Sequence, residues 1–150
     1  MTILPVEERI GSQTPRLCQL AQRQVASAGD DAIEFAETIG DGFYVLDEWQ
    51  KFCIRGLLAE DAKARLCAGV GLILMPRQNG KNAVLEVIEL YAFYVLNLPY
   101  ILHTAHLQET TADHMARLWS AIESDEDLLS ITKGADLAHG LPSADQVQDP

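Results

Sequence analysis

The stretch "LILMPRQNGKNAVLEVIEL", residues 72–90, decides the fold. It opens on aliphatics, breaks at Pro76, crosses a polar turn ending in Gly80-Lys81 and becomes apolar again. Together with the residues before it, "AGVGLILM" is a short continuous apolar run bounded by Gly69 and Pro76. That pattern predicts a strand covered on both faces, as in a parallel sheet. From Asn82 to about Leu96 the spacing turns helical. Val84, Val87, Ile88, Tyr91 and Val95 fall along one side, while Leu85, Ala92 and Leu96 widen the apolar face. A largely buried helix is expected, stopped by Asn97 and Pro99.

A strand, a polar turn and a helix in that order can hold a phosphate, because turn amides and the first N–H groups of the helix converge on one spot. A lysine just inside the helix then adds a point charge. The spacing G-x-x-x-x-G-K-[ST], laid on this chain, runs from Met75 to Asn82. Gly80 and Lys81 fit it; Met75 replaces the first glycine, and Asn82 replaces the hydroxyl residue that usually meets Mg2+. The plain alternative is an ordinary strand-to-helix connection.

Working outward, "LDEWQKFCIRGLLAED" (46–61) predicts a helix in which Asp47 and Gln50 hold the N-cap and N3 positions of a capping box. Its apolar positions Trp49, Phe52, Cys53 and Leu57 recur at helical spacing. "DDAIEFAETIG" (30–40) predicts a shorter helix opened by acidic residues and closed by Gly40. Residues 1–28, broken by Pro5, Gly11 and Pro15, read as an arm. Downstream, "YILHTA" (100–105) is a second strand candidate. "QETTADHMARLWSAIESD" is a further amphipathic helix with a core stripe of Met115, Leu118, Trp119 and Ile122. Residues 29–133 therefore predict an α/β unit, and the polar tail 134–150 predicts loop or disorder.

Composition bounds the partners. The chain has 150 residues, 48% hydrophobic and 22% charged, the balance of one globular domain. A net charge of −11, with −7 of it in residues 101–150, argues against gripping nucleic acid alone, since DNA binding needs a basic surface. No apolar run approaches the roughly 18 residues of a membrane span, and the opening "MTILPVEERIGSQ" does not resemble a secretory signal. Cys18, Cys53 and Cys67 form no C-x-x-C pair and are expected to be buried or idle thiols in a reducing cytosol. His103, His106 and His114 include an H-x-x-H, yet the predicted strand-to-helix boundary divides its two histidines and no carboxylate is placed beside them. No metal site is expected there. The acidic "SDEDLL" (124–129) precedes its apolar residues and is expected to be a solvated helix end.

Several of these segments, in their order, resemble one family. "LMPRQNGKN" resembles the modified phosphate loop of large terminase subunits, the ATPase motors of tailed-bacteriophage DNA packaging. "LDEWQ" resembles that family's upstream adenine motif, L-D-x-W-Q, and "YILHTAHLQETTADHMARLW" its following strand and helix. The resemblance covers roughly residues 12–133 and implies a partial P-loop NTPase, an incomplete parallel sheet flanked by helices with a helical segment before it. It implies that Gln50 reads the adenine edge with Trp49 packed nearby. Residues Pro76, Arg77, Gln78, Asn79, Gly80 and Lys81 would cradle the phosphates. Arg77 would sense the γ-phosphate, a role that can be worth about 10³–10⁵ in rate. Asn82 would offer an oxygen to Mg2+ or its water shell. ATP with Mg2+ is the implied ligand. DNA, the portal and the small terminase subunit are the implied partners in the full-length motor, in the cytoplasm of a bacterial host.

One part of the family pattern is missing. No apolar strand ending in Asp-Glu follows the loop, and there is no room for the nuclease domain that terminases carry. The chain thus resembles the opening portion of a larger protein. Alone it is expected to be marginally folded and to turn over little or no ATP. The alternatives are a non-catalytic prophage remnant or assembly module, and a different P-loop nucleotidase or kinase.

Overall fold

The computed structural model describes residues 12–76 and 78–139, with side chains for all of these except Asp41 and 134–139. Among the described residues five α-helices carry the fold: α1 (Gly29–Thr38), α2 (Glu48–Leu57), α3 (Lys81–Tyr94), α4 (Gln108–Glu123) and α5 (Glu126–His139). Two-residue strands β1 (Ala26–Ser27) and β2 (Ala59–Glu60) pair antiparallel, Ala26 opposite Glu60 and Ser27 opposite Ala59.

The expected parallel sheet, and with it the partial P-loop NTPase fold, is not what the chain adopts. Half of the described residues are α-helical, and the sheet among them has two antiparallel strands. Neither 70–75 nor 100–105 is a strand. The physical reason lies in the backbone. A buried strand must hand its N–H and C=O groups to neighbouring strands, and among the described residues neither segment has a neighbour in a ladder. Both therefore lie as irregular chain along the surface. Val70, Leu72 and Leu74 are 87%, 85% and 92% exposed, and Ile73 packs against the edge of the core.

The helices form the core because each satisfies its own backbone and needs only one apolar face covered. α1 places Ala32, Ile33 and Ala36 inside, α2 places Ile54, and α3 places Val84, Val87, Leu90 and Tyr91. α1 and α2 meet almost backbone to backbone. A Cβ on Gly29 would lie 2.5 Å from Arg55 Cα, which only glycine permits. Ser27 locks the same corner: its hydroxyl accepts the Gly29 N–H at 2.9 Å and donates to Arg55 O at 2.8 Å.

Several finer expectations shift. On α2 the deepest side chains are Gln50 and Ile54, rather than the Trp49, Phe52, Cys53 and Leu57 stripe, which is half-buried. On α4 the inward face is His114, Leu118 and Ala121, and Met115 is more than half exposed. α3 ends at Tyr94, where Asn97, with φ +52°, turns the chain and the Leu98 N–H returns to Ala92 O at 3.0 Å. Leu85, Val95 and Leu96 are exposed. Cys18 is exposed and Cys53 and Cys67 are half-buried, all three as free thiols. Burial pushes the Cys53 thiol pKa up. Residues 134–139, expected as loop, continue α5; the rest of the tail, 140–150, and the arm 1–11 lie outside the described residues. Asp125, in the acidic run, caps α5 by accepting the N–H groups of Asp127 and Leu128.

Candidate functional site

Two features on α3 stand out, one at its start and one in its middle. At the start, Gln78 (φ +61°) and Gly80 (φ +72°) are both left-handed, and the helix begins at Lys81. The chain therefore turns sharply before α3 instead of running through as one helix. The side-chain amide of Asn79 donates to Pro76 O at 3.3 Å inside this turn.

Gln50 holds the turn to α2. Its Nε2 donates to Gly80 O at 2.8 Å while its Oε1 accepts the Asp47 N–H at 2.7 Å, the reciprocal half of a capping box. The capping role and the contact with the turn therefore coexist in one side chain. A Cβ on Gly80 would stand 3.1 Å from Gln50 Nε2 and 4.0 Å from the Trp49 ring. Trp49, Gln50 and Gly80, separated by 30 residues in sequence, thus share one spot.

The other residues expected there are spread over an open surface. Pro76, Gln78, Asn79, Gly80 and Asn82 are exposed, and Lys81 is half-buried. Arg77 lies outside the described residues. An apolar groove runs between residues 15–21, α2 and 68–74, and of the described residues neither Pro76 nor any of 78–82 lines it.

The electrostatics of this helix start differ from the rest. α1, α2, α4 and α5 each carry acidic side chains in the first turn, which answer the positive end of the helix dipole. α3 has none and opens on a lysine instead. Among the described residues the Lys81 ammonium is paired with no carboxylate.

In the middle of α3 two acidic residues three apart turn inward. Glu86 is fully buried and receives Arg117 of α4, Nε at 2.9 Å and Nη2 at 3.3 Å. Tyr44 Oη is buried beside this pair with no hydrogen-bond partner among the described residues; burial and then the Glu86 carboxylate hold its phenol pKa well above the usual value. One turn on, Glu89 meets two histidines. Its Oε1 lies 2.8 Å from His103 Nδ1, its Oε2 lies 2.6 Å from His114 Nε2, and the two imidazoles stack at 3.7 Å with an 11° interplanar angle.

The expectation of no metal site at His103, His106 and His114 rests on the lack of a carboxylate beside them; Glu89, remote in sequence, bridges His103 and His114. The visible signal was Glu86 and Glu89 inside an otherwise apolar helix, where a charge demands a partner. Nothing local said which partner. His106, the other half of H-x-x-H, is exposed and outside the cluster.

The geometry defines a mainly helical domain with an open, cationic helix start and a sheltered carboxylate–imidazole cluster. Comparison with protein-family models, with curated proteins and with solved structures returned no match. No helix among the described residues is long and apolar enough to cross a membrane.

Proposed function

We propose that residues 76–82, with Trp49 and Gln50, bind a nucleotide of the ATP class with its Mg2+, and that the chain serves as the nucleotide-binding element of a viral DNA-packaging motor of the large-terminase kind. The observation that carries this is the 2.8 Å bond from Gln50 Nε2 to Gly80 O, with the Trp49 ring beside it. Two segments that the family resemblance assigns to one ligand meet in space.

Chemistry supports the pairing. A glutamine amide has two N–H donors and two acceptor lone pairs, and Gln50 uses one of each on the backbone. The remaining donor and acceptor match the N7 and N6 edge of adenine. Lys81 and the uncompensated start of α3 supply positive potential for phosphates, and the exposed Asn82 an oxygen for Mg2+. DNA, portal and small-subunit contacts belong to the intact motor, in the host cytoplasm.

Titration with a fluorescent ATP analogue and Mg2+ tests the proposal. Lys81→Ala is expected to weaken binding roughly 10–100-fold, the worth of one charge-assisted contact. Binding that ignores the substitution, or no binding at all, favours the second reading: a helical assembly module without a nucleotide pocket, which the exposure of Pro76, Gln78, Asn79 and Gly80 supports.

A further inference from the structure

We propose that Glu89, His103 and His114 form a site for one divalent cation of the zinc class. This goes beyond the nucleotide reading and does not depend on it. Three donor atoms from three separate segments (α3, the 95–107 connection and α4) lie within 4.8 Å of one another. The cluster is sheltered: the His114 side chain is 1% exposed, and those of Glu89 and His103 are 16% exposed.

The donor set selects the metal. Two imidazoles and one carboxylate suit Zn2+ and its first-row neighbours, whereas Mg2+ and Ca2+ prefer oxygen alone. Three protein ligands plus water is the composition of an open zinc site. With metal–ligand bonds of about 2.0–2.2 Å, tetrahedral donors stand roughly 3.4 Å apart. The 2.6 and 2.8 Å contacts run to different oxygens of Glu89; to admit the ion they must open by less than an ångström, and the stacked imidazoles must splay so that their in-plane lone pairs converge on it. Each neutral imidazole frees its lone pair by moving its N–H to the other ring nitrogen. The partial exposure of Glu89 and His103 leaves a route in and room for water.

The site also has work to do. The 95–107 connection pairs with no strand among the described residues, and most of its side chains face solvent. An ion held by Glu89, His103 and His114 would pin it between α3 and α4. Without metal, the same three side chains make a hydrogen-bonded cluster, which is the rival to be excluded.

The test uses the full chain, stripped of metal by a chelator and free of nucleotide, and titrated with Co2+ as a coloured probe and then with Zn2+. One Co2+ per chain is expected, with the visible absorption of a low-coordinate site, displaced stoichiometrically by Zn2+. The melting temperature should rise by about 5–10 °C once Zn2+ exceeds its dissociation constant a hundredfold. Glu89→Gln and His103→Gln should each weaken binding by more than the roughly 10–100-fold lost with an outer-shell partner, while His106→Ala binds as the parent does. Should a substituted chain unfold, the imidazole NMR signals of the unaltered chain decide: Zn2+ should move those of His103 and His114 and leave His106 in place. Absent binding, binding that survives both substitutions in folded protein, or shifts centred on His106 would overturn the site.

Discussion

The apolar run that opens residues 72–90 and the apolar face of the helix that closes it both read as buried in sequence and have opposite fates. Leu72 and Leu74 are 85% and 92% exposed, whereas Val84, Val87 and Leu90 are 0–3% exposed. Hydrophobicity alone does not explain the difference. A helix closes its own hydrogen bonds, so α3 can bury its apolar face against α1 and α2 without further help. An extended segment has to find strand neighbours first, and 70–75 has none among the described residues. Burial follows the availability of a partner for the backbone.

The largest expected effect breaks this comparison directly. Leu90→Ala opens a cavity in the helical core and should cost about 2–5 kcal/mol, a large share of a typical total of about 5–15 kcal/mol. Leu74→Ala should stay within about 0.5 kcal/mol, the range of unengaged surface positions. Urea unfolding of the two variants gives both numbers, read as shifts in midpoint at constant slope. Equal losses would mean that 70–75 is packed in solution and that the contrast is wrong.

Next in size is Arg117→Ala. It leaves Glu86, which has no exposed surface, without its cation. Breaking a wholly buried pair costs about 3–5 kcal/mol. Because the Arg117 side chain is 56% exposed, roughly 2–3 kcal/mol is expected here. Replacing both residues by methionine should recover most of that loss, since the penalty comes from an unmatched buried charge rather than from missing attraction. A double variant no better than Arg117→Ala would show that the packing at this point, not the charge, is what matters.

What was legible in the sequence follows the same division. Local signals spoke clearly: Asp47 and Gln50 marked the start of α2, and Gly80 the start of α3. The helices of 30–40, 46–61, 82–96 and 108–125 all exist with small shifts at their ends. The strands failed because a short apolar run states only that it is apolar; its pairing is decided by chain elsewhere. The inward face of α4 is turned by one position from the apolar stripe, because Met115 and His114 are neighbours and apolarity favours the former. His114 is inside because Glu89 accepts it. That contact spans 25 residues, and the contact with His103 spans 14, so neither leaves a mark in any local window. The start of α3 was readable because its residues are contiguous; its middle was not, because its partners come from other segments.

The smallest prediction concerns how the exposed side of the molecule stays ordered at all. Between β2 and the irregular chain at 67–76, Asp61 gathers the turn around itself. Its Oδ2 accepts Arg65 Nη2 at 2.7 Å, and its Oδ1 accepts the Lys63 N–H at 2.8 Å. The Arg65 side chain first, and then the Lys63 amide, hold the carboxyl at a pKa of about 2, below its ordinary 3.8. A carboxyl whose pKa is lower in the folded chain stabilises the fold above its unfolded value and loses that contribution as pH falls through the folded one. The window here runs from about 4 down to about 2. Between about pH 3 and 4, where an ordinary aspartate is near half-protonated, the carboxyl carbon signal of Asp61 should still report an anion. In Arg65→Ala it should titrate closer to the other aspartates. An ordinary midpoint in the unaltered chain would mean that this turn is loose in water. The exposed segment that follows would then lack even its local anchor, and the contrast with α3 would be sharper still.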